Sequence, residues 1–406
     1  MDRFLILGAG VTGMTAAAEL SALGGEVTVV EQTSFIGGHV TASSYCCKAT
    51  SACARCGVCV AHTQLDTSLR DPRIGLYTAS AVETCTSVKG GISARVNQQQ
   101  PAIDYSRCTS CDACISACPE RCIITYRRAE ITQYIIDYEK CRKRRGEPCT
   151  ACADACPTAA VSCDEYDRTH TINASSLLVA TGHTPYDATK KPRYGYGKNS
   201  KIMTGLEAES ALADAENFGD PEERVAFVQC VGSRDPSIGR NFCSGVCCAY
   251  AVRIARMLKY RNPEMQVDIY YIDLQNFDRE FTTMLKEVEE LGVSLVRGLP
   301  FRIDEEADGS LAFLLESSNG ERVVARYDRA ILSVGIDSRE DAMHVVDVMG
   351  LLTNEYGFMT SNGGADGHGG RPNVYTCGTC NRPMSMPESM AAARDTARKM
   401  WAERSR

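Results

Sequence analysis

The sequence predicts an α/β fold: a dinucleotide-binding parallel sheet, a second α/β unit behind it, and a small α+β module inserted into the first. Three observations predict it. Residues 3–31 read strand, glycine turn, helix, strand. Two cysteine runs ending in Cys-Pro lie between residues 108 and 157. From Arg224 an apolar strand, a helical stretch and another strand follow in turn.

The first unit opens with Phe4-Leu-Ile-Leu7, then Gly8-Ala-Gly10-Val-Thr-Gly13, an alanine-rich helix from Met14, and Val27-Thr-Val-Val30 ending in Glu31. Glycines at these spacings permit a tight turn and close approach to a pyrophosphate. The helix N-terminus holds the anion, and an acid at the end of the second strand takes a ribose hydroxyl. The alternative is a fortuitous glycine turn. Gly37-Gly38 follows six residues after Glu31 and resembles the doublet of the two-dinucleotide-binding flavoproteins, which favours FAD over NAD. Two later stretches share that resemblance. Leu177-Leu-Val-Ala-Thr181-Gly182 looks like the strand and turn that return to the flavin, and Asn373-Val-Tyr-Thr-Cys377-Gly378-Thr379 like the last strand. Thr379 stands where that family has an aspartate on the ribityl chain. Pro387-Glu388-Ser389 opens a helix whose N–H groups would face the flavin and favour negative charge on the reduced ring.

The inserted module reads Cys108-x2-Cys111-x2-Cys114-x3-Cys118-Pro119, the spacing with which a bacterial ferredoxin wraps a cubane cluster. A second run, Cys149-x2-Cys152-x3-Cys156-Pro157, has Cys141 upstream. In such pairs the cysteine before proline serves the neighbouring cluster. One cluster therefore takes Cys108, Cys111, Cys114 and Cys156; the other takes Cys118, Cys141, Cys149 and Cys152. Cys122 and Cys163 are left over, and either could replace Cys141 if the loop folds differently. Zinc is the competing metal, but it wants two pairs of ligands and has no use for a repeated Cys-Pro. The module, about residues 101–165, is expected inside a small meander made by Ile74–Tyr77 and Ile92–Val96, with the chain rejoining at Thr171-Ile172.

Two further cysteine groups remain. Cys53-x2-Cys56-x2-Cys59, with Cys46 or Cys47, could hold another cluster; a redox dithiol at Cys56 and Cys59, or free thiols, is the alternative. In the second α/β unit, strands Val225–Val228 and Val267–Ile272 flank a helix over 249–260. A thioredoxin-reductase-like enzyme would bind NAD(P)H here, but the nucleotide-binding glycines are missing. Cys230, Cys243, Cys247 and Cys248 stand in their place, so a cluster is expected to meet the flavin where nicotinamide would. Loop cysteines without metal are the alternative. The expected boundaries are 1–100 for the first part of the FAD unit, with a cysteine-rich loop at 45–60, then 101–165 for the ferredoxin. The second FAD part is 166–222, the cluster-bearing NAD-like unit 223–330, and the last FAD part 331–406.

Bulk properties narrow the function. Twenty-two cysteines in a cytosolic-looking chain of 406 residues argue for metal ligands over disulfides, and for oxygen sensitivity. The net charge of −7 and the shortness of Arg142-Lys-Arg-Arg145 speak against nucleic acid. Phe4–Leu7 runs straight into a glycine turn, unlike a signal peptide, and no apolar run approaches the ~18 residues of a membrane helix. Lys191–Ser200 reads as a basic glycine–tyrosine surface loop and Gly363–Gly370 as a flexible one. No histidine sits at ligand spacing, and none is assigned a role.

These features together resemble the heterodisulfide reductase family, in its flavin-bearing A component. The resemblance rests on Gly8-x-Gly10-x-x-Gly13, Cys56-x2-Cys59, the inserted ferredoxin, Tyr194-Gly-Tyr-Gly197, Cys230-x12-Cys243-x3-Cys247-Cys248, and Gly378-Thr379-Cys380 with Pro387-Glu388-Ser389. It implies a two-dinucleotide-binding, thioredoxin-reductase-like fold, bound FAD and three or four 4Fe-4S clusters. It also implies a soluble cytoplasmic complex with other iron–sulfur subunits, in which the flavin can split an electron pair, as in heterodisulfide reductase or class II benzoyl-CoA reductase. Partners of this kind include ferredoxin, or a module oxidising hydrogen, formate or NADH, and the chain can be dimerised within the complex. The sequence stops near the last flavin helix, so it resembles the short members without a C-terminal ferredoxin module. Two other functions compete: a self-contained NAD(P)H oxidoreductase like the small subunit of glutamate synthase, and a non-catalytic assembly or sensor protein.

Overall fold

The central strands of the first sheet are near-continuous apolar runs, because both of its faces are covered. The structure, a computed structural model, describes residues 2–40, 58–98, 103–128, 131–136, 140–143, 145–162, 168–214, 219–220, 222–275, 281–317, 319–360 and 371–404. Strand β1 (Arg3–Leu7) leads through the glycine turn into helix α1 (Val11–Ala22) and β2 (Glu26–Val30). Helix α2 (Val58–Leu69) precedes β3 (Ile74–Tyr77). Strands β4 (Ser80–Val88) and β5 (Gly91–Gln98) form a hairpin.

The inserted module contains α3 (Ala113–Ala117), the hairpin β6 (Ile123–Arg128) and β7 (Ile131–Ile136), and α4 (Ala151–Asp154). The chain returns in β8 (Arg168–Ala174), antiparallel to β5, and β9 (Ser176–Val179), parallel to β1.

The parallel sheet is completed by β18 (Val374–Thr376), giving the order β18-β9-β1-β2-β3. Phe4 and Ile6 point to one face, against Met14 and Leu20 of α1 and Ala393, Ala397 and Met400 of the C-terminal helix (Met386–Glu403). Leu5 and Leu7 point to the other, against Ile92, Ala94 and Val96 of the β4-β5-β8 meander. Ile74–Tyr77, expected in that meander, instead pairs with β2 in parallel register. The reason is its placement after α2, which crosses over the sheet as a parallel connection requires.

The second sheet repeats the logic. Strands β10 (Ile202–Thr204), β11 (Arg224–Val231), β12 (Gln266–Tyr271), β13 (Ser294–Arg297) and β17 (Arg329–Val334) are all parallel, in the order β10-β17-β11-β12-β13. Its sheet thus extends past both ends of the expected 223–330, taking Ile202–Thr204 and Arg329–Val334. Phe227, Ile269 and Ile331 pack beneath α6 (Cys247–Arg261) and α5 (Gly205–Asp214). Ala226, Val228 and Leu332 pack on an antiparallel three-stranded layer, β14 (Arg302–Glu305), β15 (Leu311–Glu316) and β16 (Arg322–Tyr327), through Phe313 and Tyr327.

The glycine turn is a packing joint. A Cβ on Gly13 would sit 1.9 Å from the Gly8 carbonyl oxygen, so α1 can pack this close only with glycine there. Gly13→Ala is expected to cost about 1–3 kcal/mol of stability, the range for overpacking, read as a lowered thermal midpoint.

Candidate functional site

A cleft of about 500 Å³ opens where the ends of the two parallel sheets face each other. Its first wall is the dinucleotide turn. Gly8 and Gly10 line it, and Gly10 caps α1 without supplying a side-chain acceptor, leaving that helix end to an anion. Glu31 lines it too, and its carboxylate accepts the Ala9 N–H at 2.7 Å and the Thr33 N–H at 2.8 Å. Gly37, Gly38, Thr181, Gly182 and Thr379 continue the lining. The Thr181 hydroxyl is buried without a partner, an orphan that a bound polar molecule would satisfy.

Gly13, Gly378, Pro387 and Glu388, expected to bind the cofactor, are not lining residues. Gly13 packs below the turn, and Gly378 (φ +85°) packs on Thr12. The carboxylate of Glu388 accepts the Ser385 N–H at 2.7 Å while the Ser385 hydroxyl accepts the Glu388 N–H, a reciprocal cap that uses the acid on its own helix. Met386 and Ser389 of that helix reach the cleft instead.

The second wall belongs to the second sheet. Tyr250 and Arg253 line it from α6, with Val246 just ahead of that helix and Glu209 from α5. Arg253 and Glu209 form a buried ion pair. Tyr250 is half-buried and donates to the Val334 carbonyl at 2.8 Å. Cys247 and Cys248 occupy the first turn of the same helix. The structure gathers Cys230 and Cys243 beside them. Cys230 adopts φ +59° at the point where the β11–β17 register shifts, which turns the strand end toward α6. The Cys247 thiol hydrogen-bonds both Cys230 and Cys248 and pulls both below the ordinary thiol value, Cys248 to about 7. Cys247 itself is pushed up by the same contacts, and burial pushes Cys243 up. Gln229, next to Cys230, is buried with neither end of its amide partnered. Arg234, paired with Asp273, places positive charge near Cys230, Cys243 and Cys248. Four thiols, an orphaned amide and a guanidinium fit an anionic sulfur-rich group better than an empty wall.

The loop that carries Tyr194-Gly-Tyr-Gly197 is anchored from beneath by Lys191 and Tyr194, while Gly197 stays exposed. Lys191 is buried against Asp235 at 2.6 Å, and the buried Tyr194 donates to the Pro300 carbonyl at 3.1 Å.

Two smaller cavities lie in the inserted module. Cys108, Cys111, Cys114 and Cys156 line one; Cys118, Cys122, Cys141, Cys149 and Cys152 line the other. Among the described residues no three His, Cys, Asp or Glu side chains converge as tightly as a single metal ion would need. Cys46, Cys47, Cys53, Cys56, Cys163 and Gly363–Gly370 lie outside the described residues, as does the side chain of Cys59.

Sequence reasoning missed the histidines. His39, His183 and His344 all line the cleft. His183 Nδ1 lies 2.9 Å from the Thr379 hydroxyl, and His39 Nε2 lies 2.9 Å from the His183 carbonyl oxygen, with the two rings 4.6 Å apart. The signal that could have found them was position: His39 directly follows Gly37-Gly38, and His183 directly follows Thr181-Gly182.

The comparisons agree with this geometry. The profile of an NAD(P)-binding Rossmann-like domain matches residues 6–61, and that of a 4Fe-4S binding domain matches residues 101–124. The chain is 28% identical, over 98% of its length, to the A component of the H(2):CoB-CoM heterodisulfide,ferredoxin reductase of Methanothermobacter marburgensis, covering 63% of that protein. It is 26% identical, over 97%, to the iron-sulfur A component of the CoB–CoM heterodisulfide reductase of Methanocaldococcus jannaschii, again covering 63%. The chain therefore spans about three fifths of the length of these relatives. In fold it is similar to the thioredoxin reductase of T. acidophilum, with a TM-score of 0.53 at 12% identity, covering 99% of each chain. The Lactococcus lactis thioredoxin reductase gives 0.53 at 13%, covering 99% of this chain and 98% of that one. The chain is heterodisulfide-reductase-A-like in sequence and thioredoxin-reductase-like in fold. No helix among the described residues is long and apolar enough to cross a membrane.

Burial, with His39 and Arg339 adding, holds the His183 imidazole down to about 3. The folded chain thus refuses a proton that the unfolded chain accepts near its ordinary value of about 6.5. This contribution to stability is complete above pH 6.5 and is lost as pH falls below it. His183→Gln should lose less stability than the parent between pH 6.5 and 5 in denaturant titrations.

Proposed function

We propose that this heterodisulfide-reductase-A-like chain is an FAD- and 4Fe-4S-containing electron-transfer subunit of a larger oxidoreductase complex. The likeness to components of heterodisulfide reductases supports multisubunit redox partners. One observation carries the reading: a single cleft runs from the glycine turn of the first sheet to the helix that presents Cys247 and Cys248. A flavin dinucleotide held at Gly8, Gly10, Glu31, Gly37, Gly38, Thr181, Gly182 and Thr379 would have thiol ligands, rather than a nicotinamide pocket, across from it.

When bound, flavin and clusters supply the two-electron and one-electron chemistry. The chain's residues position and insulate. Cys230, Cys243, Cys247 and Cys248 hold one cluster near the cleft, with α6 directing its N-terminal N–H groups at the thiolates. Cys108, Cys111, Cys114 and Cys156 hold a second, around their cavity. Cys141, Cys149 and Cys152, with Cys118, hold a third in the neighbouring cavity. Tyr250, on the helix that carries Cys247 and Cys248, lines the cleft beside the Arg253–Glu209 pair. The Cys46–Cys59 group is proposed as a fourth site.

Cys230→Ala is expected to abolish electron transfer from the flavin to a partner while FAD stays bound, read by stopped-flow flavin absorbance with cofactor analysis. Loss of FAD would mean a structural role for Cys230 instead. Stoichiometric flavin reduction by NADH in the isolated chain would overturn the electron-transfer reading in favour of a self-contained NADH oxidoreductase.

A further inference from the structure

Three segments far apart in the sequence are tied together at one end of the cleft. Strand β18 runs parallel to β9 with Thr376 opposite Val179, so the continuing chains bring Thr379 beside Gly182. A Cβ on Gly182 would lie 4.0 Å from the Thr379 hydroxyl oxygen. Gly182 adopts φ +79°, which glycine holds without strain, and the chain turns there into His183. His183 Nδ1 lies 2.9 Å from the same hydroxyl. From the third segment, His39 reaches the backbone of this turn, with Nε2 2.9 Å from the His183 carbonyl oxygen. A carbonyl only accepts, so His39 carries a proton on Nε2. His39, His183 and Thr379 all line the cleft, as does Thr181, whose buried hydroxyl has no partner.

A threonine hydroxyl has one proton and two lone pairs, and alone it rotates to suit any neighbour. The bond to His183 takes one of these capacities and stops the rotation, so the others point in fixed directions. His183 is held neutral by burial, with His39 and Arg339 adding, so the pair brings no net charge to the cleft. We propose that His183 is a positioning residue for the dinucleotide: it fixes the Thr379 hydroxyl for contact with the ligand, and His39 pins the turn on which His183 stands. The inference rests on the reading that the cleft holds FAD. Thr379 is the contact, and His183 acts through it. A hydroxyl ordered in advance lowers the cost of ordering on binding. A His183 that only filled space would stabilise the fold without bearing on how long FAD stays.

The test uses the full chain, purified without oxygen and with its FAD bound. The rate at which FAD leaves on dilution is read as recovered flavin fluorescence, and thermal midpoints report on folding. Thr379→Val and His183→Leu should each speed release about tenfold, the scale of one lost hydrogen bond. Because both remove the same contact, His183→Leu/Thr379→Val should release FAD no faster than Thr379→Val. His183→Asn, whose carboxamide can bond the same hydroxyl, and Thr379→Ser should release it at close to the parent rate. Parent-like release from His183→Leu would reduce His183 to packing and overturn the proposal. Effects that multiply in the double variant would overturn it too, since the two residues would then act separately. So would release from His183→Asn as fast as from His183→Leu. Should His183→Leu not fold, Thr379→Val and His183→Asn decide: fast release from the first with parent-like release from the second upholds the proposal, and any other pairing overturns it. A parent chain that holds no FAD would overturn the flavin reading itself, and this proposal with it.

Discussion

Ionisable thiols gathered in a desolvated wall are the constraint on which this structure turns. Each thiolate there repels its neighbours and loses hydration, so four can ionise together only if a cationic group shares their charge. Cys230, Cys247 and Cys248 are buried and hydrogen-bonded to one another, which splits their proton affinities: one is pushed up so that two can fall. The backbone has been shaped to bring this about. Cys230 holds a positive φ at a register shift, and Cys247 and Cys248 sit at the start of a fifteen-residue helix, where N–H groups favour negative charge. A packing role for these cysteines would need none of that.

Sheet architecture explains why the helix that carries Cys247 and Cys248 faces the same cleft as the dinucleotide turn. Ligands of open parallel sheets collect at the carboxyl ends of the strands. Here there are two such sheets, and the carboxyl ends of β1, β9 and β17 reach one cleft through Gly8, Ala180 and Val334. The chain switches between sheets at residues 180–202 and again after Val334, so both crossovers pass the cleft. The close approach of the sheets is itself tight: a Cβ on Gly232 would lie 2.0 Å from the Tyr186 ring.

Local pattern made much of this legible. The strand–turn–helix–strand start reads from glycine spacing and apolar runs, because those interactions are close in sequence. Helix α6 was readable from its period, though not that it begins at Cys247 rather than Ala249, which sets the thiols on the helix end. What could not be read depended on distant contacts. Ile74–Tyr77 looks alike as a meander strand or a parallel one, and only its pairing with Val27–Val30 decides. Glu388 looks like a residue facing an anion-binding helix end, until Ser385 shows that the acid caps its own helix. The histidines carry no spacing signal, since His39 and His183 are 144 positions apart and meet only in the folded cleft.

The charges facing the cleft bear on what chemistry it can do. Arg253 is matched by Glu209, and Arg339 by Asp341 at 2.6 Å. Glu31 is engaged by the N–H groups of Ala9 and Thr33. Thr379, where an aspartate would add a negative charge, offers a hydroxyl that His183 already engages, and His183 is held neutral. These lining groups are therefore neutral or internally compensated. Compensation of this kind accords with the proposed electron transfer, in which charge moves through bound groups rather than through these side chains. The field left to bias such a transfer comes from the N-terminal ends of α1 and α6 and from Arg234 beside the thiols, all of which favour negative charge at the two ends of the same cleft.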